Sequence, residues 1–171
     1  VIGRSGNSER ARSRPKGTAL QYAVKLLAVK PYSEMKLREK LAGRQFTDDE
    51  IATAVTRLIS ERLLDDRHFA EEFVRARLAA RPRAGIMLVR DLYQRGIPRK
   101  LAQDVVNELA PKQNDLEVAR ELVKRKSALF KNLDDQTRRR RLTGFLARRG
   151  FSYETIAKAL PDSRSAETDS D

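Results

Sequence analysis

A chain of 171 residues, 35% charged and 40% hydrophobic, has room for one domain or a short array of modules and must present a very polar surface. It has no cysteine and no apolar run of about eighteen residues, which excludes a disulfide framework, a thiolate metal site and a membrane-spanning helix. A net charge of +12 and a calculated pI of about 10.4 favour anionic partners: nucleic acid, an acidic protein face or a phosphate-rich surface.

Residues 1–17 have almost nothing to bury and read as a disordered basic arm of net +4. Their opening, VIGRSGNSER, is polar and unlike a secretion signal, so a cytoplasmic location is expected. From Thr18 a first helix carries Ala19, Tyr22, Ala23, Leu26 and Leu27 at steps of three and four, and Pro31 ends it. Ser33 is placed to cap a second helix with Met35, Leu37 and Leu41. Thr47 and Glu50 form a capping box that opens a third helix, running to about residue 61. After Leu63 and Leu64, an aspartate at 65 or 66 is expected to cap a helix with Phe69, Ala70, Phe73 and Val74, which Pro82 ends. Two helices follow within residues 88–109, separated by Gly96 as a stop and Pro98 as a start, and Pro111 closes them. Asn114 or Asp115 opens a helix with Leu116, Ala119, Leu122 and Val123. Asp134 caps the next, Gly150 stops it, and Ser152 caps a last short one. Residues 163–171 read as a disordered acidic tail of net −2.

One apolar ladder recurs through these helices. Leu88, Leu92, Ile97, Ala102, Val106 and Leu109 are spaced by four, five, five, four and three residues. Leu37, Leu41, Phe46, Ile51, Val55 and Leu58 repeat those steps 51 residues earlier. Leu142, Leu146, Phe151, Ile156 and Leu160 repeat the first four of them 54 residues later. Steps of three and four keep side chains on one helix face, and each pair of fives straddles a turn with an apolar residue packed into it. A period near 50 residues identifies a repeat protein. The expected fold is all-α: three tandem three-helix repeats at 18–64, 65–111 and 112–162, forming an elongated, curved body. Gln45 stands where the other copies have Gly96 and Gly150, which predicts a looser first turn.

Catalytic chemistry is not expected, nor a metal or cofactor. No P-loop motif occurs, and no serine has a candidate base. The single histidine, His68, reads as part of a solvated capping turn after Asp65, Asp66 and Arg67. Glu71 and Glu72 are adjacent on a helix and point about 100° apart, so they do not form a catalytic pair.

What the chain offers instead is clustered positive charge. Arg75, Arg77, Arg81, Arg83, Arg90, Arg95, Arg99 and Lys100 stand against Asp91 alone within residues 75–100. Lys124, Arg125 and Lys126 form a second cluster. Arg138, Arg139, Arg140 and Arg141, with Arg148 and Arg149, form a third. Four arginines early in a helix oppose its dipole, at about 0.3–1 kcal/mol each, and a local rule broken without local benefit points to binding. With Leu142 at the centre of the buried stripe, Arg140, Arg141 and Arg148 should project away from it. Sequence-specific DNA reading is disfavoured: one would-be recognition helix starts Asp48, Asp49, Glu50, and the next starts Pro98, Arg99, Lys100, with no Asn or Gln there to read bases.

Four segments carry a family resemblance: Ala23-x-x-Leu26-Leu27; Tyr32-Ser33-Glu34-x-x-Leu37-x-x-Lys40-Leu41; Leu64-Asp65-Asp66-x-x-Phe69-Ala70-x-x-x-Val74-x-x-Arg77; and Gly85-x-x-Leu88-x-x-x-Leu92-x-x-x-Gly96-Ile97. Across residues 19–160 the chain resembles the RecX family of recombination regulators, with the third repeat matching by spacing more than identity. The resemblance implies a partner, the RecA recombinase and its filament on single-stranded DNA. It also implies suppression of RecA's ATPase, strand-exchange and coprotease activities, within recombination, repair and the SOS response. A monomer is expected. The alternative is a non-enzymatic helical-repeat protein that binds nucleic acid nonspecifically through its basic patches.

Overall fold

The structure is a computed structural model that describes residues 15–111 and 114–160. The expectations for the basic arm before residue 15 and for the acidic tail lie outside the described residues. Among the described residues there are nine α-helices and no strand: α1 (Ala19–Val29), α2 (Glu34–Ala42), α3 (Asp48–Ser60), α4 (Asp66–Ala80), α5 (Gly85–Tyr93), α6 (Arg99–Leu109), α7 (Asp115–Ser127), α8 (Asp135–Ala147) and α9 (Tyr153–Ala159). They fall into two compact units that meet between Asp66 and Arg67.

The first unit holds α1, α2 and α3. Each helix is started by a hydroxyl: Thr18, Ser33 and Thr47 accept hydrogen bonds from the amides of Gln21, Lys36 and Glu50. Gln21 and Glu50 reach back to the cap amides and complete two capping boxes. The core is Ala19, Ala23, Leu37, Leu41, Phe46, Ile51, Ala54, Val55, Leu58 and Leu64. All six ladder residues of this repeat are in it. Because α4 begins at Asp66, Asp65 holds its cap position, and the Asp66 carboxylate serves another helix: it accepts from the Glu34 amide at 2.7 Å, and so satisfies the start of α2 from 32 residues away. Burial, above all, pushes the Asp66 carboxyl up from its ordinary value; the charges of Glu34 and Asp65 add to this and the Glu34 amide opposes it.

The second unit holds the other two triplets. Ala70, Val74, Leu88, Val89, Leu92, Ile97, Ala102, Val105 and Val106 pack α4, α5 and α6 together, with Leu109 half-buried at the edge. Ala119, Leu122, Val123, Leu142, Leu146, Phe151, Ile156, Ala159 and Leu160 form the core of α7, α8 and α9, and Ala84, from the loop before α5, is buried among them. Fully burying one such side chain is worth about 1.5–3 kcal/mol. Asp134 and Ser152 cap α8 and α9 as the sequence predicts. Pro98 sits at the cap of α6 itself, one position before the helix begins.

The repeated turn has one geometry in all three triplets. Gly96 and Gly150 take φ of 89° and 85°, and Gln45 takes 63°. Behind this turn the Ile97 and Phe151 amides donate to the carbonyls of Leu92 and Leu146 at 3.1 and 3.4 Å. The first turn is therefore not looser: Gln45 adopts the left-handed conformation that glycine adopts elsewhere. Gly150 has a second reason to be glycine, because a Cβ there would stand 2.2 Å from the Met87 Cγ of α5.

Candidate nucleic-acid interface

The basic residues singled out by the sequence divide by what holds them. Arg75 lies on the exposed face of α4 and pairs with Glu72 at 2.8 Å and Glu71 at 3.1 Å, which raises its pKa further. Lys100 pairs with Asp104 and Arg125 with Glu121, both at 2.9 Å along their own helices. These three charges are largely neutralised locally, and exposed pairs of this kind contribute little to stability.

A second set lies on aromatic rings. Arg95 stacks on Phe73 at 4.3 Å and donates to the Asp91 carbonyl at 2.8 Å, while Arg77 approaches the same ring at 5.2 Å. Lys126 stands 5.6 Å from both Phe130 and Phe145; Arg141 approaches Phe130 at 5.8 Å and Arg149 covers Phe145 at 3.9 Å. Sequence reasoning missed these rings, although a signal was present. Phe73–Arg77, Lys126–Phe130 and Phe145–Arg149 are each spaced by four residues, which places both partners on one face of a helix. Arg138 is half-buried, pairs with Asp135 and also donates to the Leu133 carbonyl, so it supports the start of α8.

A third set is exposed and makes no ion pair among the described residues: Arg81, Arg90, Arg99, Lys124, Arg140 and Arg148. Arg139 is half-buried beside Arg140.

Two of the sequence clusters meet. The loop between α4 and α5 carries Arg81 and Arg83, and the turn between α8 and α9 carries Arg148 and Arg149. The Ala84 amide donates to the Arg149 carbonyl at 3.1 Å and joins loop to turn. Arg83 has a carboxylate, Asp91, at 2.7 Å; Asp91 is 8% exposed. Arg81, Arg148 and Arg149 have none among the described residues. Burial pulls the Arg149 guanidinium below its ordinary value, and the charges of Arg83, Arg148 and Arg81 pull it further. The Nε atoms of Arg83 and Arg149 are buried without hydrogen-bond partners. Four like charges with one carboxylate between them leave a surplus that an anion would relieve, and guanidinium groups suit phosphate. Lys124, Arg125 and Lys126 lie at the end of α7, where Glu121 holds Arg125 and the rings of Phe130 and Phe145 hold Lys126.

The fold and the charge thus define a class: a three-repeat helical protein with a group of like-charged arginines on its second unit. The comparisons identify the family. Models described as the first, second and third three-helix domains of RecX match residues 19–58, 65–106 and 113–160. The chain belongs to the RecX family. Regulatory protein RecX of Trichlorobacter lovleyi is 37% identical over 135 residues, 78% of this chain and 88% of that protein. Its counterpart in Chromohalobacter salexigens is 32% identical over 148 residues, 86% of this chain and 94% of that protein. The crystal structure of RecX from Lactobacillus salivarius superimposes with a TM-score of 0.72 over 82% of this chain and 91% of that one, at 20% identity, which speaks for the fold. The relatives are named as regulatory proteins.

Proposed function

We propose that this chain is a regulator, mainly negative, of the RecA recombinase, and that it binds the RecA filament on single-stranded DNA and suppresses ATP hydrolysis, strand exchange and coprotease activity. The reading is supported by family membership across all three helical domains. The observation that carries the mode of action is the group Arg81, Arg83, Arg148 and Arg149, whose surplus charge suits phosphates. In this reading Arg90, Arg99, Lys124 and Arg140 add long-range attraction, whereas Arg75, Lys100 and Arg125 add less because carboxylates hold them. The protein acts in the cytoplasm, as a monomer, without catalysis of its own.

A helical-repeat protein that binds nucleic acid without a filament partner is the competing reading, and the arginine group serves it equally well. Binding to labelled single-stranded DNA, naked or coated with RecA, separates the two. The regulator reading predicts tighter binding to the coated strand. Equal or weaker binding there favours the competitor.

A further inference from the structure

Apart from the arginine group, unit 2 has a groove of about 350 Å³ between α8 and α9. Its floor is apolar, formed by Ile156 and Leu160, which are 4% and 6% exposed. Gln136, Arg139 and Arg140 of α8 line one wall. On the other stands Tyr153, 84% exposed at the first position of α9. An aromatic ring so exposed contributes nothing to the core. The ladder offsets place Asp48 of α3 and Arg99 of α6 at the equivalent position, so the repeat has no need of tyrosine there. Close by in sequence, Asp134 caps Thr137 and feels the charge of Arg140, Asp135 holds Arg138, and Glu154 pairs with Lys158 at 2.6 Å. The groove therefore combines an open π-face, an apolar floor, an amide and guanidinium groups. That set suits one nucleotide of a single strand, with the base against the ring and the phosphates on arginine.

We propose that the α8–α9 groove is a stacking site for a base of single-stranded nucleic acid, with the base on Tyr153 and an adjoining phosphate on Arg140. The choice of occupant rests on the function proposed above, and it adds a contact to the bases where the arginine group contacts only the backbone. Binding there is indifferent to sequence, since every base has a π-face.

The test is fluorescence anisotropy of a labelled thymidine oligonucleotide and an abasic strand of equal length, with no recombinase present. The parent should prefer the strand with bases. Tyr153→Ala should weaken binding to that strand at least about fivefold, the lower end for aromatic–base stacking, and leave the abasic strand unaffected. Tyr153→Phe should restore the parent affinity. Arg140→Ala should weaken both strands alike. The inference is overturned if the parent treats the two strands equally or binds neither, or if Tyr153→Ala binds both as the parent does. It is also overturned if Tyr153→Ala binds DNA normally but loses inhibition of RecA, because the ring then contacts protein. Failure of the parent to inhibit RecA, measured separately, would count against the regulator reading and leave this comparison intact.

Discussion

Gln45 shows what a single residue contributes in this fold. Its φ of 63° lies in the left-handed region, where a side chain costs about 1 kcal/mol or more relative to glycine. Gln45→Gly should therefore raise the stability of the first unit by several tenths of a kcal/mol to about 1, read from a denaturant melt. Gly150→Ala should do the reverse to the second unit, since its Cβ would collide with Met87. The approach of Met87 to Gly150 was not legible in the sequence, but the stop roles of Gly96 and Gly150 could be read from it, because a stop between two amphipathic runs has few solutions. The glutamine's could not, because its type says nothing about φ. The role of Asp66 was also out of reach: local rules leave the cap to Asp65 or Asp66, and say nothing of the Glu34 amide, 32 residues earlier, that Asp66 accepts from. Its carboxyl is raised, so the folded state holds this proton more tightly than the unfolded chain. That contribution is present below the unfolded value and lost as pH rises through the folded one. Asp66→Asn keeps an oxygen for Glu34 and removes the charge. It should melt at or above the parent at neutral pH, with the advantage shrinking as acid protonates the parent. Asp66→Ala should lose about 1 kcal/mol, the worth of the hydrogen bond.

At the scale of helices the sequence was largely legible, because helical period and capping chemistry are local. Of the seventeen ladder residues all but Leu109 are buried, and the side-chain oxygens of the expected caps Ser33, Thr47, Asp134 and Ser152 all accept from an amide in the first turn of the predicted helix. Leu92 and Leu146 are both 0% exposed and anchor equivalent turns. Changing either to Ala should cost about 2–5 kcal/mol by leaving a cavity, as a melt would show. The arginine run of α8 is less uniform than its sequence. Arg140 and Arg141 are exposed as expected and should be replaceable by Ala within about 0.5 kcal/mol. Arg138 holds Asp135 and the Leu133 carbonyl, so Arg138→Ala should destabilise the helix start instead of merely relieving the dipole.

On the scale of the whole molecule, the sequence revealed the amount of charge but not how it is grouped. Residues 81–83 and 148–149 meet because Ala84 is buried in the third helical core and bonded to the Arg149 carbonyl, a tertiary arrangement no local pattern encodes. Conversely, Arg75, Lys100 and Arg125 differ from Arg81 and Arg148 by carboxylates three or four residues away, a helical spacing that the sequence does carry. Arg81 and Arg148 are exposed, so the double change Arg81→Ala, Arg148→Ala should fold normally. It should flatten the salt dependence of single-stranded DNA binding by about 1.4 in log–log slope, at about 0.7 for each phosphate contact removed. The most direct test of the whole account is RecA ATP hydrolysis on single-stranded DNA, titrated with the parent and with this double variant beside matched thermal melts. The account predicts inhibition by the parent and, at an unchanged melting temperature, about tenfold more of the variant for the same effect. A parent that leaves hydrolysis untouched, or a variant that inhibits as well as the parent, would contradict it.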